Sequence, residues 1–235
     1  MDGISQPLSR TACTADTFAC SWCMSCQKRC LDVVLAVLLL ILSAPLQILI
    51  CVVIKLLSPG PVLFRQTRTG QNGKLFLIYK FRTMDEEQKG TCSCITRADD
   101  PRITRLGRVL RRTKLDELPQ LINILKGEMS FVGPRPRVPA QEASLFLTRP
   151  GLTGIASLIL AHEEKILQTV SVDAQEQYHA DVLNPLKLRY DTHYIETASL
   201  SLDIEIMIRT VLKVYFSTLK TKTNLQPVDF KAVKR

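Results

Sequence analysis

Asp116 and Glu117 are adjacent carboxylates set among cations, and that setting decides what chemistry they can do. Upstream, Arg102, Arg105, Arg108, Arg111, Arg112 and Lys114 recur at roughly helical spacing, with Ile103, Leu106 and Leu110 on the opposite face. Downstream, Leu118, Leu121, Ile122 and Leu125 form a second helical stripe, Pro119 suits a first helical position, and Gly127 is placed to stop it. Past that stop, Gly133-Pro134-Arg135-Pro136-Arg137 is a stiff turn whose arginines suit phosphate oxygens. Lys80, Arg82, Arg111, Arg135 and Arg137 are the candidate phosphate-binding cations. A structural alternative exists for the acids: Thr113-Lys-Leu-Asp116 fits a capping box, with acid facing the positive end of a helix dipole.

The elements that must hold these residues follow from pattern. With 235 residues and 46% of them hydrophobic, the chain has room for one ordinary domain plus an appendage. A net charge of +9 calls for an anionic partner: phosphorylated ligand, anionic lipid or nucleic acid. Aromatics are only 6% and do not interleave with the basic residues, which argues against a nucleic-acid partner.

Residues 1–27 read as a mobile, polar tail. It brings Cys20, Cys23 and Cys26 towards Cys30 in a C-x2-C-x2-C-x3-C spacing that would suit an iron–sulfur cluster or zinc. A membrane-anchored metal or Fe–S protein is therefore the rival reading. Membrane-edge thiols open to acylation, or idle reduced thiols, are the others.

Leu31 to Leu57 is apolar enough for a membrane. About 22 residues lie between Asp32 and Lys55, or ~33 Å of helix against ~30 Å of hydrocarbon, so hydropathy alone suggests a kinked single crossing. Pro45 and the cations at both ends favour another geometry. The proline divides the run into limbs too short to span, and Lys28, Arg29, Lys55, Arg65 and Arg68 make both ends look cytoplasmic. The expectation is a re-entrant helix over 28–58 that enters and leaves by one face. Ser58-Pro-Gly-Pro61 ends it. Val62–Gln66 and Leu75–Phe81 around a Gly70–Gly73 turn predict a β-hairpin. Asp85–Asp100 reads as a charged loop. Helical pieces are expected around Pro150-Gly151, from Ala174 to Tyr194 with an interruption near Pro185, and from Leu202 to Leu219. The last exposes Ile204, Ile208, Val211, Leu212 and Tyr215 as a face for core or lipid. The fold class expected is α+β: a mainly helical membrane-associated domain at 59–220, with a small hairpin, interfacial helices and a polar tail at 221–235.

Several stretches in one order carry a family resemblance: Lys28-Arg-x-x-Asp32, Gly60-Pro-x-x-Phe-x-Gln66-x-Arg68-x-Gly70, Lys80-Phe-Arg-Thr-Met84, Leu115-Asp-Glu-Leu-Pro-Gln-Leu121, Gly127-Glu-Met-Ser-Phe-Val-Gly-Pro-Arg-Pro136 and Arg149-Pro-Gly-Leu-Thr-Gly154. Together they resemble the bacterial sugar transferases, the small monotopic phosphoglycosyl transferases, from about Lys28 to Tyr215. The resemblance implies transfer of a sugar-1-phosphate from a nucleotide diphosphate sugar, usually a uridine one, to polyprenyl phosphate. Nucleoside monophosphate would be released, opening a glycoconjugate pathway at the cytoplasmic face of the bacterial inner membrane. It further implies Asp116 as nucleophile, Glu117 as its acidic partner, Mg²⁺ held by the two, and Asp191 as a further acid. Homo-oligomer formation and the identity of the sugar are left open. Three features depart from the family pattern: Ser43-Ala44-Pro45 at the helix break, Ile155-Ala-Ser-Leu after Gly154, and the cysteine-bearing tail.

Overall fold

The computed structural model describes residues 20–85, 100, 102–139, 147–160 and 174–218. The expectations for residues 1–19, for most of the Asp85–Asp100 loop and for the 221–235 tail lie outside them. Helix α1 spans Cys26–Leu57, started by Ser25, whose hydroxyl accepts from the Lys28 amide, and ended by extended Ser58. At 32 residues it would measure ~48 Å if straight, and it is the one helix among the described residues long and apolar enough to cross a membrane.

The helix assignment continues through Pro45. Around the amide that the proline lacks, Ser43 Oγ donates to the Leu39 carbonyl at 2.5 Å and Gln47 Nε2 donates to Ser43 Oγ at 2.8 Å. Ile41, Leu42, Ile48 and Leu49 are exposed, whereas Lys28, Asp32 and Ala36 near one end and Ile50 and Ile54 near the other are buried. Both ends are fastened to the same domain. The Arg29 guanidinium donates to the Ile124 and Leu125 carbonyls at 2.6 and 2.9 Å, and Arg82 donates to those of Ser58 and Pro59 at 2.7 and 2.6 Å.

Strands β1 (Leu63–Thr69) and β2 (Leu75–Phe81) pair antiparallel from Leu63–Phe81 to Thr69–Leu75, giving the expected hairpin. Asn72, at φ 54°, turns the chain between them. Helix α2 (Arg105–Thr113) is capped by Thr104, whose Oγ1 accepts from the Gly107 amide at 2.8 Å. Helix α3 (Gln120–Lys126) follows Pro119 and stops at Gly127, whose φ of 81° is the left-handed form that glycine adopts without strain. Strands β3 (Ser130–Val132) and β4 (Gly151–Thr153) pair in parallel. Helix α4 covers Ile155–Ile159, α5 covers Asn184–Thr197 and α6 covers Leu200–Thr218. The main core gathers Ile78, Leu121, Ile124, Met129, Phe131, Val132, Tyr194, Ile195 and Ile206, so the hairpin, α3, β3, α5 and α6 share one interior.

The interruption expected near Pro185 is present as a π-turn, His179–Leu183, between a short helical turn at Gln175–Tyr178 and α5, and the wider turn suits a residue lacking its amide hydrogen. Three other sequence expectations are corrected. The stretch at Gly151 is strand, not helix, because it completes β3. Thr113 does not cap towards Asp116, since its hydroxyl donates back to Val109 and Leu110. The last residues assigned to the tail are folded in. The Cys20 amide donates to Ile195 O at 3.3 Å, and Trp22 Nε1 donates to Asp203 at 2.9 Å. That aspartate also pairs with Lys28 and accepts from Tyr194 at 2.7 Å, so the buried charges satisfy each other.

On α6, Ile204, Ile208, Val211 and Leu212 are exposed, so this apolar face does not belong to the core.

Candidate active site

The acid pair lies at the junction of α2 and α3. Lys114 ends α2 in the left-handed conformation (φ 59°) and reverses the chain into a 3-10 turn, Leu115–Glu117, from which α3 departs. Both carboxylates are thus held by backbone geometry at a helix junction. Asp116 is only 7% exposed, and its Oδ1 is buried with no hydrogen-bond partner among the described residues. Burial, then the charge of Glu117, pushes the Asp116 carboxyl above its ordinary range against Lys80, Lys114 and Arg111. Glu117 goes the other way. Burial works to raise it, but the Lys80 ammonium 2.8 Å away, with Arg135 and Lys114, outweighs that effect and holds it at about 2.

The surrounding cations come from three directions. Lys80 arrives on β2. Arg111 arrives on the last turn of α2, its Nε donating to Thr83 Oγ1 at 2.9 Å. Arg135 projects from the Gly133–Arg137 turn, which follows β3 directly. That turn is held by an unusually close backbone approach: the Gly133 amide donates to Thr153 O at 3.0 Å, and a Cβ on Gly151 would lie 2.1 Å from the Gly133 nitrogen. Only glycine fits there.

Arg137 and Asp191 form a flank to the site, with Nη2 and Oδ2 3.6 Å apart. Burial of Asp191 outweighs Arg137 and Arg135 and lifts its carboxyl to about 7. Two cations not counted among the candidate phosphate-binding residues also belong here. Lys114 acts on both acids. Arg68 donates to Pro136 O at 3.3 Å and to Gln66 Oε1 at 2.6 Å, bracing the arginine turn beside Arg135. Its place in Gln66-x-Arg68-x-Gly70 was the available signal.

Arg82 is not brought to the acids in the way the sequence suggested. Its guanidinium is committed to the Ser58 and Pro59 carbonyls, so it clamps the exit of α1. Pro45 lies on α1, away from the acid pair in sequence and in role. Of the cysteines, Cys23 is buried and its thiol pushed up to about 11 by burial, and Cys20 donates to Ala198 O at 3.0 Å. Cys26 and Cys30 are exposed on α1. Among the described residues no three His, Cys, Asp or Glu side chains stand together as a metal-ligand group, so the iron–sulfur reading has no support.

The acid pair nevertheless fits a hard cation of another kind. Mg²⁺ is typically held by one or two carboxylates together with substrate phosphates, and the unpartnered Asp116 oxygen beside Glu117 offers that donor set.

A buried carboxylate with an unpartnered oxygen, a second acid held ionised and the surrounding cations are thus gathered in a domain that carries a long apolar helix. The profile of the bacterial sugar transferase family matches residues 23–217, and the chain belongs to that family, as a transferase of the phosphoglycosyl type. It is 43% identical over 195 residues to a UDP-glucose:undecaprenyl-phosphate glucose-1-phosphate transferase of Caulobacter vibrioides, covering 79% of this chain and 68% of that one. It is 35% identical to a UDP-N-acetylgalactosamine-undecaprenyl-phosphate N-acetylgalactosaminephosphotransferase of Aeromonas hydrophila, covering 78% and 42% of the two chains. It is 34% identical to the exopolysaccharide production protein ExoY of Sinorhizobium fredii, covering 81% and 86%. The chain thus spans about two fifths of some curated relatives and most of others.

Proposed function

We propose that this protein transfers a sugar-1-phosphate from a uridine diphosphate sugar to polyprenyl phosphate at the cytoplasmic face of the bacterial inner membrane. The observation that carries the mechanism is the contrast within the acid pair: Glu117 is neutralised by Lys80, whereas Asp116 keeps an unpartnered buried oxygen. In the first step an Asp116 oxygen attacks the phosphorus that bears the sugar. The bond to the neighbouring phosphate breaks, and nucleoside monophosphate leaves with the electron pair. In the second step an oxygen of polyprenyl phosphate attacks the same phosphorus and releases Asp116.

Lys80, Arg111 and Arg135 bind the diphosphate and oppose charge repulsion between it and the attacking carboxylate. Arg137 and Asp191 orient the incoming phosphate. Mg²⁺, held by Asp116 and Glu117, would supply further neutralisation of phosphate charge. The fastening of both ends of α1 to one domain, with Pro45 between them, supports a re-entrant helix that keeps the acids at headgroup level.

The test is a release assay for nucleoside monophosphate across a panel of nucleotide sugars with Mg²⁺ and polyprenyl phosphate. Without acceptor, intact-mass measurement should find one phosphosugar on Asp116, and Asp116→Asn should lose both adduct and turnover. An Asp116→Asn protein that turns over at the wild-type rate overturns the assignment.

A further inference from the structure

The reaction at the acid pair leaves one sequence motif unused, the cysteine run before α1, and the fold divides that run in two. Lys28 and Asp32 are buried, so Cys26 and Cys30, each two residues away, lie on the opposite, exposed face of α1. Cys20 and Cys23 instead enter the main core beside Trp22. No third ligand joins them among the described residues, which leaves two-thiol chemistry rather than metal binding. We infer that Cys20 and Cys23 form a reversible oxidation site, a dithiol that a small-molecule disulfide of the glutathione type converts to an internal disulfide.

The turn supplies the geometry. The Cys23 amide donates to Cys20 O at 3.0 Å and the Ser25 amide to Trp22 O at 3.0 Å, so residues 20–25 form two overlapping turns. A hydrogen-bonded four-residue turn holds its end Cα atoms within ~7 Å, and disulfides span ~4.4–6.8 Å. The turn is also fixed from outside, by the Cys20 amide on Ile195 O at 3.3 Å and by Trp22 Nε1 on Asp203 at 2.9 Å. Burial raises the Cys23 thiol, and Asp203 and Cys20 add to that, so the two sulfurs sense each other.

The pair is asymmetric. Cys23 is 5% exposed, whereas Cys20 is half-buried and its thiol donates to Ala198 O at 3.0 Å. The reagent therefore meets Cys20 first. The Cys20 thiolate, its proton given to solvent, attacks one sulfur of the reagent; the reagent's S–S bond breaks and one thiolate leaves with the electron pair. Cys23, deprotonated in turn, attacks the Cys20 sulfur, the mixed S–S bond breaks, and the second thiolate leaves and takes up a proton. The two cysteines lose two electrons, and the reagent is reduced to two thiols. Closure also removes the Cys20 hydrogen bond to Ala198, so the reduced form clips the turn to the junction of α5 and α6 and the oxidised form frees that carbonyl.

The experiment equilibrates the full chain, folded in detergent and unfolded in guanidinium chloride, with mixtures of reduced and oxidised glutathione. Thiols are trapped by alkylation and mapped by tandem mass spectrometry. In the folded protein a Cys20–Cys23 link, lighter by two hydrogens, should form and reopen with dithiothreitol. It should be favoured roughly tenfold or more over the same link in the unfolded chain, because the turn already holds the pair. Cys23→Ala should stop at glutathione on Cys20, and Cys20→Ala should leave Cys23 a free thiol.

A link no more favoured in the folded chain than in the unfolded one overturns the inference. So do links to Cys26 or Cys30 in place of the Cys20–Cys23 link, or glutathione on Cys23 ahead of Cys20. If the alanine variants do not fold, the comparison of folded and unfolded wild-type chains decides alone.

Discussion

Lys80→Met removes the cation nearest Glu117 without altering the backbone of β2. The Glu117 carboxyl lies at about 2 rather than its ordinary 4.5, a preference for the charged form on the order of 3 kcal/mol, achieved against burial. Burial is the largest influence on this group and Lys80 the largest opposing it, with Arg135 and Lys114 behind it, so without Lys80 the carboxyl rises. The two acids are adjacent, and Asp116 is already raised by burial and by its neighbour. They will then titrate as a pair, with the last proton leaving at a higher pH than in the wild type.

If Asp116 must be ionised to attack, activity appears as pH rises through the pair's upper value, and the variant's ascending limb moves to higher pH. The measurement is kcat/KM for nucleoside monophosphate release between pH 5 and 9, with Lys80→Arg as the charge-keeping control. The reasoning is refuted if Lys80→Met lowers the plateau but leaves the limb where it was. Lys80 would then serve only substrate phosphate and not the ionisation of the acids.

Arg82→Met should cost about 2–4 kcal/mol by leaving two carbonyls without their charged donor, and lower the Tm in detergent by roughly 5–10 °C; a change below a degree would contradict the clamp. Asp191→Asn tests the other buried acid: the folded carboxyl titrates at about 7 rather than 3.8, so the wild type progressively loses stability relative to the variant as pH rises from 4 to 7, by an amount on the order of 4 kcal/mol, and the gap is constant above that. Thermal unfolding of both proteins over that range reads the gap, and a pH-independent difference would show that Asp191 is not held neutral. In a cysteine-free background, single cysteines at Ser21 and Arg105, both exposed positions, should resist an impermeant maleimide in intact bacteria and react after lysis. Labelling of the Ser21 site in intact cells would mean that α1 crosses the bilayer.

The sequence makes legible whatever repeats over several residues. The α2 and α3 stripes contain enough positions for the period to show, and the hairpin strands are long enough for two apolar, β-favouring runs to stand out on either side of a glycine turn. Strands β3 and β4 are not. Three residues cannot display alternation, and their pairing joins segments about twenty residues apart, so only the close approach of Gly133 and Gly151 explains why these glycines are there.

Lys80 and Arg82 illustrate where the reasoning fails. Two residues apart on a strand, they should face the same way, but β2 ends at Phe81. The Arg82 amide still donates to Val62 O at 2.9 Å, but its long side chain ends on the carbonyls of the linker after α1 while Lys80 reaches the acids. The segment before α1 fails for a different reason: it has no apolar period to show that it packs. Trp22, Lys28 and Tyr194 converge on Asp203 from positions too far apart in sequence for any local pattern to connect them. The site itself was more legible than its supports because its chemistry requires charges in quantity, whereas the supports are single hydrogen bonds between distant residues, and those leave no trace in spacing.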